Sequence, residues 1–260
     1  MTPFYFGDSD KPLFGIYHQP ASSQFQDTSI VFCNPIGFEY GRAHSVIRYL
    51  AKKLASNGYH VLRFDYYATG DSSGDSQDVT ISQCIKNIEL ACDEIKTMSA
   101  NRKVTLVGFR IGAALAAIIS KNYKISRLVL WDPVIFGESY LNNLQVMHDR
   151  MLSDSNRFDL KYLSSTDISN ELLGYEFTKA LKNEIKAINL SELEKVKTRK
   201  IDVICNQDNK CNDSISKEDN FFAKASFHQF ISHAEWDNVD KIESKVLPDQ
   251  SIEKIIEIIG

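Results

Sequence analysis

The sequence predicts an α/β protein, with a mostly parallel sheet of about eight strands flanked by helices, entered by an N-terminal hairpin and interrupted by a helical insertion. Three observations carry this. Short runs rich in β-branched and aromatic residues alternate with segments whose apolar residues recur every three or four positions, and strands separated by helices are parallel neighbours joined by right-handed crossovers. In "LVGFRIGAALAAII" a strand-like run passes through a tight glycine-flanked turn directly into an alanine-rich helix. The stretch 137–196, by contrast, shows no clear strand.

In order along the chain, "FYF" and "LFGIYH" flank a Gly-Asp-Ser-Asp turn and read as an antiparallel hairpin. "TSIVFC" is a strand ending at Asn34-Pro35. From Arg42 the period changes, with Val46, Ile47, Leu50 and Leu54 on one helical face and Asn57-Gly58 as the stop. "YHVLRFD" is a strand whose Asp65 opens into the polar loop "YYATGDSSGDS", where Asp65 and the stretch from Gly70 to Gly74 do turn work. The Tyr66-Tyr67 pair fits either a pocket wall or packing over the strand edge. Ile81, Ile85, Ile88, Cys92 and Ile95 mark an amphipathic helix leading to the strand "KVTLVGF". A helix from Ile111 and the strands "SRLVLWD" and "KIDVICN" continue the alternation, "SFHQFI" is strand-like, and "SIEKIIEII" closes the chain as a helix. Asp132-Pro133 terminates a strand and launches the insertion. The core is thus expected over 1–136 and 197–260, with a helical cap over 137–196.

Thirty basic against thirty-four acidic side chains leave a net charge of −4. The chain lacks the basic excess that nucleic acids and anionic membranes select. The start "MTPFYFGDSDKP" lacks the basic cap and apolar stretch of a secretory signal. The longest apolar run, Ile111 to Ile119, is far below the ~20 residues of a membrane span. A cytoplasmic protein is expected. Five cysteines without a CxxC pair imply reduced thiols and no zinc site, and no cofactor is implied.

A strained strand-to-helix turn requires small residues two before and two after its apex. Gly108 and Gly112 meet that requirement around Arg110. The motifs "VFCNPIGFEYGRA", "YHVLRFDYYATGDSSGD", "VGFRIGAAL", "VICNQDNKCND" and "FISHAEWDN" occur in that order. On these the chain resembles the serine aminopeptidase S33-like branch of the α/β-hydrolase superfamily over nearly its whole length. The resemblance implies an α/β-hydrolase fold, Asp208 as the triad acid, His233 as the base, and the N–H groups of Ile36 and Ile111 as an oxyanion hole. Asn34-Pro35 departs from the family's usual His-Gly. Arg110 occupies the nucleophile's place, and a guanidinium stays protonated and is no nucleophile at neutral pH. A narrower resemblance, to the second hydrolase-like protein associated with exosortase systems, implies an Arg-bearing elbow.

A cation set against the positive end of a helix needs a counter-anion. Glu39 in the oxyanion loop, Asp208, and a carboxylate or phosphate on a ligand are the candidates. Arg110 then reads as a plug paired with an acid, a ligand anchor, or a stabiliser of a developing oxyanion. Cys33, Tyr66 and Asp132 are expected beside the pocket, Cys33 either as a substitute thiol nucleophile or as an inert buried side chain. The function read from these residues is a pseudo-hydrolase that binds a small anionic acyl compound or a partner protein, such as an active hydrolase. The alternative is an active hydrolase or acyltransferase of ester, thioester or amide bonds, in which Asp208 and His233 activate the attacking group while Arg110 and the backbone donors receive the oxygen.

Overall fold

In the computed structural model, residues 1–21, 25–154, 170–189, 196–206, 225–231 and 234–260 are described. Strands β1 (Thr2–Phe6) and β2 (Leu13–His18) form the N-terminal hairpin. They lead to β3 (Thr28–Cys33), α1 (Phe38–Ser56), β4 (His60–Phe64), α2 (Ile81–Ser99), β5 (Lys103–Phe109), α3 (Ile111–Ile119) and β6 (Arg127–Trp131). The stretch expected as the cap contributes, among its described residues, α4 (Gly137–Leu152), the short strands β7 (Glu171–Leu172) and β8 (Tyr175–Glu176), and α5 (Lys179–Lys186). The chain closes with β9 (Ile201–Asn206), β10 (Ala225–Phe230) and α6 (Gln250–Ile259).

Eight strands form one sheet in the order β1-β2-β4-β3-β5-β6-β9-β10. Within this sheet, among the described residues, only the pairs β1–β2 and β2–β4 are antiparallel. A parallel sheet needs cover on both faces, and alternate residues of one strand enter opposite cores. Val31 and Cys33 of β3 join the cluster that holds α2, α3 and α4, whereas Ile30 and Phe32 join the cluster under α1 and α6. Among the described residues no helix is long and apolar enough to cross a membrane.

Two expectations change. Helix α1 starts at Phe38, not Arg42, because Gly37 with φ 60° turns the chain directly into the helix. Glu39 therefore sits in the first turn of α1, not in a loop. Residues 171–176, expected to be helical, form the β7–β8 hairpin, in which Leu172 pairs with Tyr175. Its two turn residues, Leu173 and Gly174, have φ of 54° and 82°, the signature of a two-residue hairpin turn whose twist matches its strands.

Candidate functional site

The elbow forms as its glycines require. Arg110 connects β5 to α3 with φ 52° and ψ −121°, a conformation that costs about 1–3 kcal/mol outside glycine and persists only where its surroundings enforce it. Here they do. The Arg110 N–H donates to the Trp131 carbonyl at 3.0 Å, and the Arg110 carbonyl accepts from Ala113 and Val134 at 3.0 and 3.2 Å. A Cβ on Gly108 would lie 2.5 Å from the Ala113 Cα, and one on Gly112 would lie 2.3 Å from the carbonyl oxygens of both Cys33 and Asn34. The start of α3 thus abuts the end of β3 so closely that only glycine fits.

The Arg110 side chain turns into the protein and is 5% exposed. Its Nε donates to Glu39 Oε1 at 2.7 Å, and Glu39, fully buried, accepts from the Tyr140 hydroxyl through Oε2 at 3.1 Å. One terminal nitrogen lies 3.5 Å from Asp237 Oδ1. The guanidinium also lies over the rings of Trp236 and Tyr140, 5.5 and 5.8 Å from their centroids. Burial by itself would lower the Arg110 pKa, but the pull of Glu39, Asp237 and Asp132 outweighs it and holds the group protonated. Burial pushes the Glu39 carboxyl up while Arg110 and Tyr140 pull it back. The 2.7 Å contact to a group that stays cationic makes this an ion pair.

A second arginine also packs against Trp236. Arg42 of α1 lies 5.3 Å from that indole and donates to the carbonyls of Glu235 and Ser244, both at 3.1 Å, and to that of Ala234. The indole N–H donates to Asp132 Oδ2 at 2.9 Å, and Asp132 Oδ1 accepts from the Asn206 N–H at 2.9 Å. Arg110 and Arg42 thus face Glu39, Asp237 and Asp132. Among the described residues the charge of Arg110 is answered by Glu39 and Asp237.

The other expected residues separate into those brought to this place and those kept from it. Ile36 and Ile111 are both buried in the larger core cluster, and among the described residues no acceptor meets either N–H. Cys33 is fully buried in the same cluster, and burial, reinforced by Cys92, holds its thiol well above the ordinary range. It is a core side chain, not a poised nucleophile. Tyr66 is likewise core, its hydroxyl donating to the Asn34 carbonyl at 3.1 Å. Asp65 organises the following loop, accepting from the Tyr40 hydroxyl at 2.6 Å and from the Asp71 N–H at 3.0 Å. Asp208 and His233 lie outside the described residues. Tyr140, Asp237, Trp236 and Arg42 were not singled out from sequence. Only the need for a counter-anion pointed towards such partners; of the acids it named, Glu39 is placed against Arg110, and Asp208 lies outside the described residues.

Beside the elbow, a cavity of about 380 Å³ opens between the loop after β3, the glycine- and serine-rich loop and the cap hairpin. Ile36, Gly37, Tyr40, Thr69, Tyr175 and Phe177 belong to its wall, whereas Arg110 and Glu39 do not.

The family profile described as serine aminopeptidase, S33 matches residues 29–173, from β3 through the elbow to the cap hairpin. The chain belongs to the serine aminopeptidase family. A search of curated proteins found no match. Among solved structures, an esterase from Pyrococcus furiosus is similar with a TM-score of 0.66 at 16% identity, covering 99% of this chain and 90% of that one. A proline iminopeptidase from Mycobacterium smegmatis gives 0.66 at 13% identity over 99% and 97% of the two chains. Est1E from Butyrivibrio proteoclasticus, with ferulic acid bound, gives 0.62 at 16% over 98% and 99%. At these identities the likeness shows the shared α/β-hydrolase fold. Within the serine aminopeptidase family fold, this chain puts a buried ion pair where the elbow presents its apex residue.

Proposed function

We propose that this chain is a pseudo-hydrolase of the Arg-elbow kind implied by the resemblance to the exosortase-associated proteins, binding a ligand beneath its cap without a nucleophile at the elbow. The observation that carries the reading is the Arg110–Glu39 pair at 2.7 Å, both members buried. A guanidinium cannot attack a carbonyl, and this one fills the apex while its charge is consumed within the protein. Losing the serine of a triad leaves only the residual ~10³–10⁴-fold acceleration of an oxyanion hole and binding. Because Glu39 and Asp237 already neutralise Arg110, the ligand site in this reading is the neighbouring cavity, and the guanidinium is not the seat of an anion.

A fluorophosphonate probe, which needs an activated serine, tests this. The protein is expected to remain unlabelled and to show no acyl-enzyme burst on an activated ester. Stoichiometric labelling, or a stoichiometric burst, would overturn the reading.

A further inference from the structure

We infer that the cavity between the β3 loop and the cap hairpin binds a compact organic ammonium, a protonated amine carried on an apolar body. The inference deepens the proposed function by naming the ligand class, and it rests on that reading. A volume of about 380 Å³ falls within the range of small-molecule sites. Ile36, Val79, Leu181, Tyr175 and Phe177 supply apolar and aromatic walls.

Most of the polar wall has one character: four of its five hydroxyls among the described residues, all but that of Tyr175, donate their protons within the protein. Tyr40 donates to Asp65 Oδ1 at 2.6 Å, Thr69 to the Tyr66 carbonyl at 2.8 Å, Ser72 to the Asp65 carbonyl at 2.7 Å and Ser76 to Glu176 Oε2 at 2.7 Å. What these groups retain for a ligand is lone pairs. Two carboxylates, Asp75 and Glu176, complete the lining, and among the described residues no Lys, Arg or His joins it.

Among the described residues an anionic ligand would therefore meet like charge with the Tyr175 hydroxyl as its one remaining side-chain donor, which is how a site disfavours a wrong partner. A protonated amine meets acceptors and two negative charges, and the aromatic side chains of Tyr40, Tyr175 and Phe177 in the wall suit a cation. The Ser76–Glu176 bond also ties the glycine- and serine-rich loop to the cap hairpin, so the carboxylate that would receive the amine is held at the mouth by both walls.

Calorimetry with three matched probes tests the assignment: phenethylamine, its neutral N-acetyl derivative and the anion 3-phenylpropionate. The amine is expected to bind at least about 10-fold more tightly than the neutral probe, with no detectable binding of the anion. Glu176→Gln and Asp75→Asn are each expected to weaken amine binding by about 10-fold, and added salt to weaken it in the wild type. Both substitutions lie at the mouth and are checked for an unchanged melting temperature. Equal or tighter binding of the anion, no binding of the amine, or amine affinity indifferent to both substitutions overturns the inference. If the fluorophosphonate result stays negative while the amine fails, only the ligand assignment falls; if the probe labels the protein, the pseudo-hydrolase reading falls instead.

Discussion

Arg110→Met leaves Glu39 buried without its counter-ion. Glu39 is fully buried, and its remaining direct partner is the Tyr140 hydroxyl at 3.1 Å. Removing one member of a buried ion pair typically destabilises by about 3–5 kcal/mol, because the other charge stays desolvated. The phenol and nearby Arg42 compensate part of this, so a loss of about 3 kcal/mol is expected. Glu39→Gln leaves Arg110 with Asp237, 3.5 Å away and 48% exposed, and is also destabilising. In the double variant Arg110→Met/Glu39→Gln neither charge remains to be compensated. Its loss should fall short of the sum of the single losses by about 2 kcal/mol, the coupling expected of residues in direct contact. Urea unfolding with linear extrapolation reads all three values.

The pH dependence gives the same test a sign. With the guanidinium gone, the Glu39 carboxyl of the folded state rises further above its unfolded value of ~4.3, so the native state holds a proton that the unfolded state releases. The Arg110→Met defect should therefore shrink as the pH falls from 7 towards ~5. Additive losses within ~0.5 kcal/mol, or a defect that grows on acidification, would refute the claim that the two side chains compensate each other.

Two further measurements address the scaffold. Gly112→Ala places a Cβ 2.3 Å from two backbone carbonyl oxygens, so unfolding or a loss above ~3 kcal/mol is expected, whereas Gly174→Ala, with open space but φ 82°, should lose only ~1 kcal/mol. Similar losses at the two sites would remove the close-approach explanation of the elbow. Burial, helped by Arg63, lowers the His18 pKa to about 4, and the neutral ring accepts from Arg63 Nε at 3.1 Å. The unfolded chain takes up that proton near its ordinary ~6.5, so this contribution, at most roughly 3 kcal/mol, is present above pH ~6.5 and lost as the pH falls towards 4. His18→Gln keeps an acceptor for Arg63 and should flatten that part of the stability profile; an unchanged slope would show that His18 does not titrate this way.

The elbow was legible because its requirement is local. Gly108 and Gly112 are set by backbone approach within a few residues of the apex, and the alternation of strand runs with helical periodicity follows from burial of both sheet faces. The start of α1 was missed because Phe38 and Glu39 are buried by contacts made elsewhere in the chain, and their identities show no helical period of their own. The cap hairpin was missed because two residues per strand carry too little alternation to outweigh the polar helical segments around them.

By itself the sequence determined that a cation stands at the elbow and that an anion must answer it, since the guanidinium charge is permanent and a helix N-terminus opposes it. It also determined the succession of strands and helices outside the stretch 137–196, because period and turn chemistry are properties of short segments. Only the tertiary structure decided which anions answer. Glu39, Asp237 and the Tyr140 hydroxyl converge on Arg110 from α1, the segment after β10 and the cap helix α4, and separations of dozens of residues carry no trace in local pattern. The same packing decided that the charge of Arg110 is answered within the protein, while the cavity lined by Ile36 includes neither Arg110 nor Glu39 in its wall.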